Sequence, residues 1–452
     1  MTVPLFRITL LAALSCALLN AAASAQPSRE RSDFEAWLDT APALSLARAE
    51  ADLLAREVDE LADRGGWRLF GGVTGAHVDE IEQGTDNRVY ERLQGDIGLE
   101  YPLLGRQRGQ AAAVLDREAA RLVAEGEARA RRLAVQTQLS EAYAEYWVAH
   151  RSLTLADRWY RLLDARLPML ESEVGTLFLA SDLADLRAAR RMVDTQRALD
   201  RIARQTARER MQRLLGRPIE PFQPVWPGQG PVCDRLSPLQ TAVARLDPRI
   251  AARRAVLDRR LDAPLPAFSD VVDAGFVIQH SRLAEDDQLN DGEETRIGLS
   301  FSMPLAVNRA AAHYRARRNA ELSAARERLN ALRETRLADV ARAVSDLRES
   351  RYQRAVSERR LADRRRAWRE AQRRTAMGGV EADRRALQRG SEWYSAARER
   401  LTTERAWLLA RARLEPISPA SCQATPASPL DAETLDPAPA GSDRGNADAV
   451  TP

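Results

Sequence analysis

The spacing of apolar positions changes twice along the chain, in the same order each time. Over 67–101, Leu69, Gly71, Val73, Gly75 and His77 mark one alternating stretch and RLQGDIGL at 92–99 marks another, around the polar loop EIEQGTDNR. Over 271–302 the alternation returns at 271–279 and 295–302, around the acidic loop SRLAEDDQLNDGEE. A two-residue period with turn residues between predicts a β-hairpin in each place. Pro102 and Pro304 close the two hairpins, and Gly105 follows the first. Proline cannot donate to a strand ladder but suits the first turn of a helix, so these positions read as strand-to-helix junctions.

Helical spacing follows each junction. The stretch 105–174 holds one proline, Pro168, where a kink is expected, and 305–376 holds none. About 70 residues at about 1.5 Å per residue predict rods of about 100 Å. Leu115, Ala119, Leu122, Gly126, Ala130 and Leu133 recur at steps of four and three, close to coiled-coil spacing, and Val340, Val344 and Leu347 do the same in the second rod. Small residues in the seam permit close helix approach. The many Arg, Glu and Asp elsewhere on the rods read as solvated faces. Glycines interrupt each rod, at Gly175 and at Gly378-Gly379, before helix resumes to about 216 and 414.

The two halves are read as copies of one unit. Ile97-Gly98-Leu99 and Ile297-Gly298-Leu299 share an offset with Gly75 and Gly275, and Ala41-Pro42 and Asp247-Pro248 each open a helical stretch upstream. The expected organisation is a signal peptide at 1–25, a first repeat at 26–217 and a Pro-rich linker at 218–237. A second repeat follows at 238–415, then a disordered tail at 416–452. Within the repeats, the hairpins lie at about 67–101 and 271–302, the long helices at about 105–174 and 305–376, and the return helices at about 180–216 and 381–414. The fold class is α+β, mostly α.

The N-terminus supplies a compartment. Arg7, an apolar run and Ala23-Ser24-Ala25 fit an export signal cleaved before Gln26. Cys16 raises a lipid anchor, but Ala13-Leu14-Ser15-Cys16 lacks the leucine usual at the first of those positions. Composition then removes several function classes. The 452 residues carry 68 basic and 65 acidic side chains, and every basic one is arginine. A net charge of +3 offers no basic excess for nucleic acid. The four histidines (His77, His150, His280, His313) and three cysteines are too dispersed for a metal site, and no catalytic constellation or cofactor motif is present. The reading is therefore not an enzyme. Beyond the signal no apolar run approaches 20 residues, which excludes a multi-spanning helical protein. Four strands per chain cannot close a barrel; the hairpins either stay soluble and pack on helices, or strands pooled from three chains give twelve.

The segments IGLEYPLLGRQRG (97–109) and IGLSFSMPLAVNRA (297–310) resemble the strand-to-helix junctions of the TolC family of outer-membrane efflux and secretion channels. VGTLFLASDLADLRAARR (174–191) and MGGVEADRRALQRG (377–390) resemble its glycine turns at the periplasmic tips. The resemblance spans about 41–414. It implies a homotrimer with a 12-stranded barrel in outer-membrane lipid and a helical coiled-coil cylinder through the periplasm. It also implies docking at the tip to a periplasmic adaptor and an inner-membrane pump, in a tripartite efflux or type I secretion system. By the same resemblance Gly175, Asp182 and Asp185, with Gly378, Gly379, Glu381 and Asp383, fall at the docking tip and its gate. Two readings of these carboxylates are open: a cation-favouring gate, or first-turn acids opposite the helix dipole. Arg384-Arg385 stand where family members often carry apolar residues. Cys233 and Cys422 both follow the last helix of their repeat, in segments that form the family's mid-cylinder belt, and a disulfide between them is expected, with free thiols the alternative. A competing function is a periplasmic coiled-coil scaffold without a pore.

Overall fold

The computed structural model describes residues 28–63, 66–81, 87–172, 180–228, 232–263, 272–285, 292–303, 307–375, 380–419 and 422. The elements are β1 (Ser28–Arg29), α1 (Arg31–Glu35), a 3-10 turn (Leu38–Thr40), α2 (Pro42–Asp63), β2 (Arg68–Ile81), β3 (Asn87–Leu104), α3 (Gly105–Ser172) and α4 (Ala180–Leu215). Then come β4 (Gln223–Pro224), α5 (Leu236–Leu246), α6 (Pro248–Asp262), β5 (Asp273–Glu285), β6 (Gly292–Ser302), α7 (Val307–Thr375), α8 (Val380–Leu414) and a 3-10 turn (Glu415–Ile417). Helix, hairpin, long helix and return helix thus occur twice. The expected signal at 1–25, the glycine breaks Gly175 and Gly378-Gly379, Pro304 and the tail after Cys422 lie outside the described residues.

The chain forms two compact units, one within 46–130 and 245–335, the other within 28–45, 131–244 and 336–422. The first holds a four-stranded antiparallel sheet in the order β2-β3-β5-β6, so the hairpins meet through β3 and β5. The strands run beyond the alternating sequence. Half of the acidic stretch expected as a loop is ladder: Ser281, Arg282 and Leu283 pair with Glu294, Glu293 and Gly292. Backbone bonds carry this pairing, and Arg282 and Glu293 offset each other across it at 3.9 Å.

Pro102 does not end its strand, contrary to the sequence reading. β3 continues to Leu104, with Pro102 opposite Gly275 of β5. β2 has already stopped pairing at Glu100, so Pro102 lies where β3 has a neighbour on one side only and its missing N–H leaves no gap in a ladder. The turn into α3 is made at Leu104, whose φ of 46° is a left-handed conformation rare for a bulky residue. Gly105 then donates its N–H to Val272 O at 2.9 Å, tying the helix start to the base of β5. α3 runs on through Pro168 to Ser172.

Helix approach in this unit uses the small residues of the seam. A Cβ on Gly126 would lie 2.4 Å from Ala252 Cβ and 2.9 Å from Pro248 O, so α6 rests directly on α3. Asp247 caps α6 by accepting from the N–H groups of Arg249 (2.9 Å) and Ile250 (3.3 Å). Arg260 reaches Asp116 at 2.8 Å and Glu321 at 3.0 Å, joining α6 to both long helices.

The second unit has a helical core centred on Phe34, Leu38, Leu139, Tyr143, Tyr146, Met211, Leu215 and Phe222. Phe222 stacks on Tyr146 with centroids 4.4 Å apart. The Pro-rich linker is packed here rather than loose. Tyr143 Oη donates to Arg29 O at 2.7 Å and accepts from Val225 N at 2.9 Å, clamping the β1–β4 pair. Tyr146 Oη donates to Phe222 O at 2.9 Å. Burial pushes the Tyr143 phenol well above its usual range. Val340, Val344 and Leu347 are buried along α7. The return helices also bury charge: Asp200 on α4 and Arg400, Glu404 and Arg411 on α8 are buried.

Candidate functional site

The sheet separates two chemistries by face. Register places Leu69, Leu99, Ile278 and Ile297 in one row across all four strands. Tyr101, Phe276 and Leu299 form the next row and Leu103, Ala274 and Phe301 a third, all on the same face. Leu299 and Phe301 are 71% and 76% exposed, so among the described residues nothing covers this part of the apolar face. At its helix-proximal end Trp67 packs against Tyr101 and Phe276, with centroids at 5.3 and 6.0 Å.

The alternate residues make the other face polar. Its rows are Arg68–Glu100–Val277–Gly298, Phe70–Gly98–Gln279–Arg296 and Gly72–Asp96–Ser281–Glu294. Arg296 pairs with Glu294 at 2.7 Å, and Gln94 donates to Asp96 at 3.0 Å. The Phe70 ring lies over Gly98, where a Cβ would sit 2.4 Å from Cζ. Among the described residues β2 and β6 each have one strand neighbour, so each presents an open edge. Farther from the helices the first face turns polar, with His280–Thr295 and Arg282–Glu293 in its rows. A sheet apolar on one side over its helix-proximal rows, polar on the other and open at both edges cannot be finished by one copy in water.

The two helical tips lie in the other unit. Asp182 in the first turn of α4 is half-buried and faces Arg384 of α8, 3.6 Å away. Glu381 accepts Arg384 at 3.3 Å and Arg385 at 3.0 Å. Asp383 lies 3.8 Å from Arg166 on α3, and Glu171 at the end of α3 pairs with Arg187 on α4 at 2.7 Å. Asp185 is exposed, with no ion pair among the described residues. The structure therefore brings Asp182 and Glu381 together through Arg384, which spans the starts of both return helices, while Asp383 is tied to α3 by Arg166. Pro102 and Gly105 lie at the sheet's base, in the first unit.

Above the tips an aromatic cluster joins three helices. Trp368 of α7 stacks on Trp393 of α8 at 4.5 Å, and Trp159 of α3 lies 5.9 Å from Tyr394. Gly390 makes room: a Cβ there would lie 2.4 Å from Trp159 Cη2. The sequence signal for this cluster is a glycine inside a helix three residues before a tryptophan, Gly390 and Trp393. Farther along α8, buried Glu404 accepts Arg400 and lies 3.1 Å from Arg354 Nε, whose guanidinium is 4.4 Å from the Trp407 ring centroid. Burial raises the Glu404 carboxyl against the pull of these arginines. Asp200 of α4 accepts Ser152 at 2.9 Å and Arg398 at 3.0 Å. Cys233 and Cys422 are joined by a disulfide, with Cα atoms 5.3 Å apart.

Among the described residues no group of His, Cys, Asp and Glu could hold a metal ion, and no helix is long and apolar enough to cross a membrane. A scan of family models finds no match to the sequence, and a search of curated proteins finds none either. Solved structures do match. The open state of the Neisseria gonorrhoeae MtrE outer membrane channel superposes with a TM-score of 0.68 at 14% identity, covering 86% of this chain and 88% of that one. The Campylobacter jejuni CmeC outer membrane channel gives 0.65 at 12% identity, covering 86% of each chain. The outer membrane protein VceC from Vibrio cholerae gives 0.62 at 15%, covering 84% and 96%. The chain has the TolC-like outer-membrane channel fold. At these identities the likeness resides in the arrangement of elements.

Proposed function

We propose that this chain is an outer-membrane channel, the passive exit duct of a tripartite efflux or type I secretion system. The observation that carries the reading is the amphipathic sheet. Its uncovered row of Leu69, Leu99, Ile278 and Ile297 suits lipid, and its opposite rows of Arg, Glu, Asp, Gln and Ser suit a water-filled lumen. Three copies joining β6 of one to β2 of the next would satisfy both open edges and close a 12-stranded barrel. Trp67, Tyr101 and Phe276 would then sit at the periplasmic interface of the bilayer, where aromatic side chains gather.

In this reading the export signal at 1–25 delivers the chain to the periplasm, the β5–β6 connection faces outward, and the helices extend into the periplasm as a tandem repeat. The tips around Gly175, Asp182, Asp185, Gly378, Gly379, Glu381 and Asp383 dock an adaptor that links the duct to an inner-membrane pump. The Cys233–Cys422 bridge fastens the end of the second repeat to the inter-repeat linker. The duct performs no chemistry and takes no cofactor. A pore-free periplasmic scaffold is the alternative, and it gives no reason for a sheet with Leu299 and Phe301 left uncovered.

Expression with the signal intact, followed by membrane fractionation and planar-bilayer recording, tests the reading. Heat-resistant trimers in the outer-membrane fraction that open discrete conductances are expected. A detergent-independent soluble protein with no conductance supports the scaffold instead.

A further inference from the structure

The two tips differ in charge, and the difference bears on cargo. From 363 to 390 the chain carries nine arginines and four carboxylates, whereas the corresponding 160–190 carries four arginines and five carboxylates. The second tip thus holds a local excess of five positive charges, larger than the +3 of the whole chain.

The four carboxylates of the second tip are already engaged by arginine. Asp363 pairs with Arg366 and Glu370 with Arg374, each at 2.5 Å. Glu381 pairs with Arg384 and Arg385, and Asp383 with Arg166. Arg384 also reaches across to Asp182 of the first tip, drawing on its negative charge as well. Arg366, Arg369 and Arg373, at steps of three and four, form a stripe of exposed guanidinium groups on α7. Arg385 and Arg389 are exposed on α8. Guanidinium stays charged at every physiological pH, so the excess does not titrate away.

We propose that the tip is a cationic collar and that the duct's preferred cargo is anionic: small organic or inorganic anions, or solutes bearing carboxylate or phosphate. The inference rests on the channel reading above and gives its tip a sign opposite to the one its carboxylates taken alone would imply. Trimerisation would bring three such collars together. Positive rings favour anions by lowering their entry barrier and raising their local concentration.

The test is the zero-current potential of the purified trimer in a planar bilayer under a tenfold KCl gradient, for wild type and for Arg369→Gln/Arg373→Gln. Wild type is expected to pass chloride over potassium, and the double variant to move several-fold toward potassium, with the shift shrinking at high salt. An Arg369→Glu/Arg373→Glu variant that still trimerises is expected to move farther in the same direction. A wild-type pore that prefers potassium, or variants with unchanged selectivity, overturns the collar while leaving the channel intact. Absence of any conductance from wild type overturns the channel reading itself, and the collar with it.

Discussion

In the sheet, Leu299 and Phe301 are turned outward at 71% and 76% exposure; in the helical unit, Arg400 and Glu404 are sealed inside at 1% and 0%. Each arrangement is costly if water is the only solvent. An uncovered apolar sheet invites aggregation, and a buried carboxylate needs compensation by nearby positive charge and hydrogen bonds. The helical unit supplies its compensation internally, through Arg354, Arg400 and Trp407 around Glu404 and through Ser152 and Arg398 around Asp200. Among the described residues nothing does the same for the apolar rows of the sheet, so the medium or further copies must supply it. The buried charges are matched within one chain, and the apolar sheet face is not.

The contrast predicts opposite responses to substitution. The largest effect is expected at Glu404. Glu404→Leu leaves buried Arg400 and half-buried Arg354 without this carboxylate and costs about 3–5 kcal/mol, read as a lower denaturant midpoint of the helical signal. Adding Arg400→Leu should recover part of that loss. If the single variant is neutral, the cluster is not a closed unit.

A loss of about 2–4 kcal/mol is expected for Leu299→Arg, since an arginine on a lipid-facing strand position must leave water. Ser300→Arg, one residue along and on the opposite face, should leave membrane assembly nearly unchanged. Equal defects from both variants would erase the two-faced sheet. Removal of the bridge by Cys233→Ser should lower helical-unit stability by about 2–4 kcal/mol, because the closed loop spans 189 residues. A reductant should reproduce that loss in wild type and add nothing in the variant.

How far these regions could be read from sequence differs for a physical reason. Alternation at 297–301 and 69–75 is a short-range signal, and it located the apolar rows before any fold was known. The strand-to-helix turn at Leu104 was not legible, because Pro102 reads as a strand end and only the early stop of β2 makes it tolerable within β3. Buried charge was equally hidden. Arg400 and Glu404 lie four residues apart on a polar helix, the usual pattern of a wet face, and only α7 crossing with Arg354 and Ser357 seals them. Asp182 and Arg384 are separated by 202 positions, so their proximity belongs to the fold, although each stood out at its own tip.

The smallest expected effect at neutral pH concerns His150, which burial and the nearby Arg204 and Arg151 hold down to about pKa 4 against an ordinary 6.5. The folded state disfavours the imidazolium, so this stability is fully present above pH 6.5 and is lost as pH falls toward 4. The slope is at most about 1.4 kcal/mol per pH unit. His150→Gln should flatten that part of the pH–stability curve without moving the Leu299 and Ser300 results, since it touches the helical unit only.

The most direct test of the central claim compares neighbouring positions on β6. Ile297→Cys and Arg296→Cys, each carrying an environment-sensitive fluorophore, are reconstituted in vesicles with brominated lipid or with an aqueous quencher. The two-faced membrane sheet predicts that the label at 297 is quenched by lipid and shielded from water, while the label at 296 shows the reverse. Both labels quenched equally by the aqueous reagent and untouched by lipid would contradict it.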